Sequence, residues 1–322
     1  MRTYVLRRLL QIVPLLLGVS ALTFVLLQLA PGDFLATVAE NPQVSPEVLE
    51  QMRRNFGLDR PWWVQYLLYL KNVFLHADFG QSFAYHRPVF AVLGTGLLNT
   101  LLLASSAMLV TWGLAVPLGA LAAARQHRWV DRVLSLGAFV WLSTPEVLSG
   151  LFLLMFAVRT GWFPAGGMHG DGLDGANVFV RAWDVARHLA LPALVVGLVP
   201  LASRMRQMRA SLLDVLRLDY VTTARAKGLG ETAVVTRHAL PNALNPLITL
   251  FGFTLGSLVS GSFVAETIFA WPGLGSITLE ALRSQDQYLV LGAVMMASTV
   301  LVLGNLAADL LLAAADPRIA RG

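Results

Sequence analysis

The chain has 322 residues, of which 56% are hydrophobic and 13% charged, and its mean hydropathy is +0.64. Soluble domains carry about a quarter charged residues, so the composition excludes a soluble globular domain and reads as an all-α membrane protein. There is no cysteine, which removes a disulfide framework and a thiolate metal site, and the net charge of +5 raises nucleic-acid binding as a question that the placement of charge answers.

A membrane-spanning helix needs about 20 mostly apolar residues. Six segments qualify, taken in order: Leu9–Ala30, Leu97–Ala124, Val133–Val158, His188–Ser203 with some extension, Ala243–Ala265 and Tyr288–Leu312. The first run is longer than the apolar core of a signal peptide and lacks a small-x-small cleavage site, so it reads as a retained helix. In the fourth, Pro192 and Pro200 interrupt the pattern, which membrane helices tolerate when neighbours satisfy the freed backbone groups.

The expected organisation is therefore 1–30 as N-terminal segment and first span, 31–96 as an external segment, 97–312 as a five-span core, and 313–322 as a tail. The external segment holds a short helix from Pro46, capped by Ser45 and ended by Gly57, followed by Trp62, Trp63, Tyr66 and Tyr69, aromatics suited to the headgroup level. With the N-terminus inside, segments 1–8, 125–132, 204–242 and 313–322 carry 15 of the 24 Lys and Arg residues in about 65 positions. Their density is about three-fold that of the outside segments, so both termini are expected in the cytoplasm. The positive charge thus sets topology, and nucleic acid is excluded as a partner.

Signatures of catalysis are missing. No Gly-Lys pair exists to complete a P-loop, neither HExxH nor GxSxG occurs, and the six histidines are scattered without ligand spacing. No catalytic residue, metal site or bound cofactor is expected in this chain. Asp171 and Asp174 in the Gly-rich loop 165–177 lack calcium-loop spacing. Among ionisable groups in apolar runs, Glu146 lies 13 residues into the third span, roughly 20 Å along a straight helix and well inside the bilayer. It reads either as a functional group or as a carboxylate that hydrogen-bonds backbone freed by Pro145. Glu266 and Asp309 lie near span ends, where a structural role is expected. Gly252, Gly256 and Ser260, with Ser257 and Gly261, give the fifth span two small-xxx-small stripes, for packing within the chain or against a second subunit around a pore. Candidate pore residues are Glu146, Ser257, Ser260 and Glu266.

The segment 204–242 is different. Leu212, Leu216, Tyr220 and Ala224 recur every four residues, which predicts one face of a continuous helix. Gly228 ends it, Lys227 suits the negative end of its dipole, and a second short segment Glu231–Ala239 is closed by Leu240-Pro241. The product is a helix–Gly–helix element in the cytoplasm, either a docking surface or a helix lying on lipid headgroups.

Here the residues resemble a known family. Gly228, Leu240 and Pro241 take their places in the loop motif EAA-x3-G-x9-I-x-L-P of ABC importer permeases, with Thr222, Thr223 and Ala224 in the EAA places. Leu29-Ala-Pro-Gly-Asp33, Asp78-Phe-Gly-Gln-Ser82, Asn99-Thr100, Gly161-Trp-Phe-Pro-Ala-Gly-Gly167, Thr223-Ala-Arg-Ala-Lys-Gly-Leu229, Trp271-Pro-Gly-Leu-Gly275 and Asp316-Pro-Arg318 are similar to the dipeptide/oligopeptide permease subfamily, specifically the first permease of its pair. The resemblance implies a type I ABC importer permease fold with six transmembrane helices in a bacterial inner membrane. It also implies a second homologous permease, two ATP-binding cassette subunits carrying the ATP and Mg, and an extracytoplasmic substrate-binding protein. The implied docking loop for the ATPase is Tyr220, Thr222, Thr223, Ala224, Arg225, Ala226, Lys227, Gly228, Leu229, Leu240 and Pro241, with Arg225 and Lys227 as contacts to the ATPase. Implied cargo is di- or oligopeptide; nickel, glutathione, an opine or an oligosaccharide are the alternatives within the fold, and an ion-coupled secondary transporter is the reading from another class.

Overall fold

The computed structural model describes residues 2–30, 35, 39, 45–55, 57–170, 172 and 175–315. Every extended element among them is a helix. In chain order these are α1 (Arg2–Leu29), α2 (Pro46–Asn55), α3 (Trp62–His76), α4 (Val89–Ala124), α5 (Trp129–Ser143), α6 (Glu146–Thr160), α7 (Val178–Val215) and α8 (Asp219–Ala226). A turn at Glu231–Ala233 and a π-helix over Val234–Ala239 follow, then α9 (Leu240–Ala243), α10 (Asn245–Gly261), α11 (Phe263–Ile268), α12 (Leu274–Arg283) and α13 (Gln287–Ala315). Among the described residues four helices are long and apolar enough to cross a membrane, and α5 with α6 makes a fifth if the bent pair is one span.

Three expected spans take a different form. The third is broken: α5 and α6 meet at 107° across Thr144-Pro145, because proline disfavours helical geometry in the residue before it and Thr144 turns extended. The fourth is longer than its apolar core, a 38-residue helix through Pro192 and Pro200, about 57 Å long against a hydrocarbon layer of about 30 Å. The fifth is divided at Ser262 into α10 and α11. Asp171, Asp174, Asp316 and the side chains of Ser260 and Asp309 lie outside the described residues.

The chain forms two compact units. The first comprises 1–100 and 272–302, the second 101–271 and 303–322. In the first, Tyr66 lies against Phe24 of α1 with centroids 5.3 Å apart, and its hydroxyl donates to the Leu17 carbonyl at 3.2 Å. Tyr69 is buried and donates to Met295 Sδ. Of the four aromatics Trp62 and Trp63 are exposed, Tyr66 is half-buried and Tyr69 is buried, so the two tyrosines are used in packing within the chain. Asp286 is fully buried and accepts from Ser82 Oγ at 2.6 Å, the Ala84 N–H at 3.0 Å and the Leu289 N–H at 3.1 Å, which pins the 78–88 loop to the start of α13. Asn99 Nδ2 donates to the Pro272 carbonyl at 2.8 Å, and Thr100 Oγ1 receives the Leu274 N–H at 2.7 Å. Ser82, Asn99 and Thr100 thus tie separate segments of this unit together.

In the second unit α7 is the central post. Gly119 of α4 lets that helix meet α7 closely: a Cβ there would lie 2.6 Å from the Met205 carbonyl oxygen. Gly197 sits against Ala107 and Thr111 in the same manner. In the 252–261 stripe, the side-chain surroundings of 252, 256 and 260 lie outside the described residues, Ser257 is exposed, and a Cβ on Gly261 would meet nothing within the chain. Asp131 at the start of α5 is buried and bidentate with Arg209 of α7, at 2.6 and 2.8 Å, and also receives the His127 N–H.

Candidate functional site

The segment after α7 begins with a break. Leu216, Arg217 and Leu218 tighten into a turn, with Arg217 N–H on the Asp214 carbonyl and Leu218 N–H on that of Val215, and Leu218 then turns extended. The expected continuous stripe therefore fails: Leu216 is half-buried and Tyr220 is 42% exposed. The buried pair of α8 is instead Val221 and Ala224, one turn apart. A four-residue repeat of apolar types cannot register a three-residue turn that interrupts it.

Val221 and Ala224 stand on a floor made by Met208 and Leu212 of α7, Val234, Val235 and Ala239 of the π-helix, and Ala123 of α4. Burial of this face fixes the element to the ends of two long helices. Gly228 ends α8 at φ +80°, a conformation that costs a side chain about 1–2 kcal/mol. Pro241 does not close the second segment but lies in the first turn of α9. In a regular α-helix its ring would strike the Arg237 carbonyl, and the wider π turn directly before it relieves that clash.

Polar links complete the element. Arg225 donates to Glu231 across the Gly228 turn at 3.0 and 2.7 Å, and also reaches the Leu216 carbonyl at 3.4 Å. The Arg225 hydrogen bonds hold the Glu231 carboxyl below its usual range, and the same bonds raise the guanidinium. Tyr220 Oη accepts from Asn242 Nδ2 at 2.8 Å, and that amide also donates to the His238 carbonyl, tying α8 to α9. Thr222 and Thr223 hydroxyls both turn back to the Asp219 carbonyl at 2.8 Å.

Of the eleven loop residues singled out, the structure gathers Tyr220, Thr222, Thr223, Arg225, Ala226, Lys227, Gly228 and Leu229 on the exposed rim, with Pro241 exposed, Leu240 half-buried and Ala224 buried. Arg225 is committed within the chain, so Lys227 is the cation of the rim with no ion pair among the described residues. Sequence reasoning missed Glu231 and Asn242, the partners that fix the rim. Their signal was present only as polar residues past Gly228.

Glu146 and Glu266 lie on α6 and α11, two helices that pack against each other, and Ser257 lies on α10. Glu146 is the first residue of α6, and the bend before it removes the depth read from a straight helix. Its Oε1 is buried with no hydrogen-bond partner among the described residues, so the satisfied-carboxylate alternative fails for that atom. Glu266 is fully buried and accepts from Ser262 Oγ at 2.8 Å, a structural setting. Ser257 Oγ donates to the Thr254 carbonyl of its own helix.

Comparison with known proteins gives a consistent answer. Residues 115–321 match the model of the binding-protein-dependent transport system inner membrane component, and residues 1–104 match that of its N-terminal membrane component. The oligopeptide transport system permease protein AppB of Bacillus subtilis is 38% identical over 99% of both chains. The dipeptide transport system permease protein DppB of Escherichia coli K12 is 36% identical over 99% of both. The glutathione transport system permease protein GsiC of Shigella flexneri is also 36% identical over 99% of both. Among solved structures, an inward-facing MetNI methionine ABC transporter chain superposes with TM-score 0.53 at 20% identity, covering 70% of this chain and 97% of that one, which shows a shared fold.

Proposed function

The chain belongs to the binding-protein-dependent transport system inner membrane component family, and on that footing we propose that it is one permease of a peptide-importing ABC transporter. It forms half of the pore beside a second homologous permease. ATP is hydrolysed on two separate cassette subunits, and an extracytoplasmic binding protein delivers the peptide. Six spans are α1, α4, the broken pair α5–α6, α7, α10 and α13, with both termini cytoplasmic.

The observation that carries the reading is the exposed rim 220–229 standing on a buried floor. A helix that merely lay on headgroups would turn its apolar side to lipid. Here Val221 and Ala224 are spent on the protein's own core, and the outer face offers capped hydroxyls, Lys227 and a protruding Leu229. That face suits a cleft in a protein partner. Because the floor joins the rim to α4 and α7, a displacement of the rim is passed to those helices as a rigid movement. A second cargo reading, glutathione, is favoured by the match to a glutathione permease at the same identity.

Cysteines at Thr223, Ala226 and Leu229, in a chain with none of its own, are expected to cross-link to a co-expressed ATPase subunit, and cysteine at the buried Val221 is not. Absence of cross-links at all three exposed positions would return the loop to the membrane surface. Mass spectrometry of ligand retained by the purified binding protein decides between general peptides and glutathione.

A further inference from the structure

α7 carries a polar face that the docking rim leaves unused. Arg206 and Gln207 lie three and four residues beyond Ser203, and Asp214 lies seven beyond Gln207, which keeps them along one side of the helix. With Ser135 of α5 and Pro246 of α10 they line a cavity of about 950 Å³ within the second unit.

The charges in this cavity are arranged unequally. Arg209 also lines it, but both edges of its guanidinium are held by Asp131, which fixes α5 to α7 and takes that cation out of play. Ser211 Oγ is bound to the Ala243 carbonyl at 2.7 Å. Arg206 and Asp214 are exposed and have no side-chain partner among the described residues. The groove therefore offers one free cation and one free anion, with the hydroxyl of Ser203 and the amide of Gln207 at the cationic end.

Two unpaired charges do not face lipid hydrocarbon. Arg204, Arg206 and Arg209 follow directly on the apolar stretch of α7, so by the positive-inside rule this part of the helix emerges on the cytoplasmic side and the groove is watered. Eight residues separate Arg206 from Asp214, about 12 Å along the axis. An extended peptide of three or four residues spans about 10–14 Å between its termini. An anionic lipid headgroup fits less well, because Asp214 would repel it. A zwitterionic headgroup has its two charges only a few bonds apart.

We propose that this groove is an exit subsite for short zwitterionic peptides, in which Arg206 receives the α-carboxylate and Asp214 the α-ammonium group. The proposal rests on the peptide-import reading and adds to it the part of the path where cargo last touches this chain.

The test uses the intact, nucleotide-free complex in nanodiscs without binding protein, and saturation-transfer NMR with tri-alanine, N-acetyl-tri-alanine and tri-alanine amide. Free tri-alanine is expected to bind best. Arg206→Gln should weaken it roughly ten-fold, to the level of the amide, while leaving the amide unchanged. Asp214→Asn should do the same with respect to the acetylated form, and Arg206→Lys should retain most of the preference. Equal signals from the three peptides on the unaltered complex, or variants that weaken all three alike, overturn the subsite. Displacement of the peptides by glycerol 3-phosphate with no preference among them assigns the groove to lipid and also overturns it. A complex that takes up no peptide in proteoliposomes with its binding protein removes the import reading itself. One that takes up peptides but binds the three forms alike removes the subsite alone.

Discussion

Arg225 and Glu231 face each other across the Gly228 turn, Nε to Oε2 at 3.0 Å and Nη2 to Oε1 at 2.7 Å. The pair closes the gap between α8 and the π-helix, so the arginine of the loop motif serves the loop's own geometry. Within the chain Arg225, expected as a partner contact, fixes the rim that it shares with Lys227 and Leu229.

Glu231→Gln should loosen this element without disturbing the rest. Side-chain exposures of 37% and 59% keep the contribution below about 1 kcal/mol. Amide exchange in 219–240 should speed up by no more than about five-fold, with α4 and α7 unaffected. The pH dependence has a definite sign. Glu231 titrates below its usual 4.5 when folded, because Arg225 hydrogen-bonds its charged form. The contribution is complete above pH 4.5 and is lost as pH falls through the lower folded value. Protection in the Gln variant should lack that step, and an identical acid profile for both proteins would exclude the pair as its source.

Gly228→Val should separate ATP hydrolysis from uptake. At φ +80° with open space around the position, the substitution meets no neighbour, so its effect is purely one of backbone strain, about 1–2 kcal/mol and more for a β-branched residue. Gly228→Asn, which tolerates this conformation, should keep most of the coupling. The ratio of ATP hydrolysed to peptide accumulated in proteoliposomes reads this directly. A normal ratio in the valine variant would mean that the rim does not act as a rigid lever.

The local features of this fold were legible and the long-range ones were not. Gly228 marked the end of α8 because a left-handed residue is a property of one position. The runs that became α1 and α4 showed as apolar length alone. The break at Leu216–Leu218 was hidden, since Leu212, Leu216, Tyr220 and Ala224 keep helical spacing through a turn that is not helical. α7 was read short because its apolar core ends at Arg204, yet the helix runs on through polar sequence at both ends and carries Pro192 and Pro200 within it. The pairs Asp131–Arg209 and Ser82–Asp286 join positions 78 and 204 residues apart, and no period in the sequence reports such a meeting. For the same reason the surroundings of Glu146 and Glu266 were hidden: the structure gives Glu266 a bond from Ser262 and leaves an oxygen of Glu146 unpaired among the described residues.

Gly119→Val tests where the second unit is packed most tightly. A Cβ would sit 2.6 Å from the Met205 carbonyl oxygen and 2.7 Å from Met208 Cβ, and backbone cannot swing aside as a side chain can. The expected cost is about 1–3 kcal/mol, seen as a lower unfolding temperature of the complex. Gly261→Val, in open space, is the control and should be near neutral. Equal effects at the two positions would refute the close approach of α4 and α7.

Asp131 and Arg209 should show strong coupling in a double-mutant cycle. Asp131 is buried, its carboxylate accepts two bonds from the guanidinium, and a backbone N–H adds a third. Asp131→Asn leaves the half-buried guanidinium with one poor acceptor in place of two charged ones, at a cost of about 2 kcal/mol. Arg209→Gln should cost a similar amount, and the double variant little more than either alone, giving an interaction term of about 1.5–2 kcal/mol. A term under about 0.5 kcal/mol would mean that the bonds are optional. The cycle also bears on the groove: once Asp131 is neutral, Arg209 is released as a second cation beside Arg206. Binding of tri-alanine to the Asp131→Asn complex should then survive Arg206→Gln better than it does when Asp131 holds Arg209 in place.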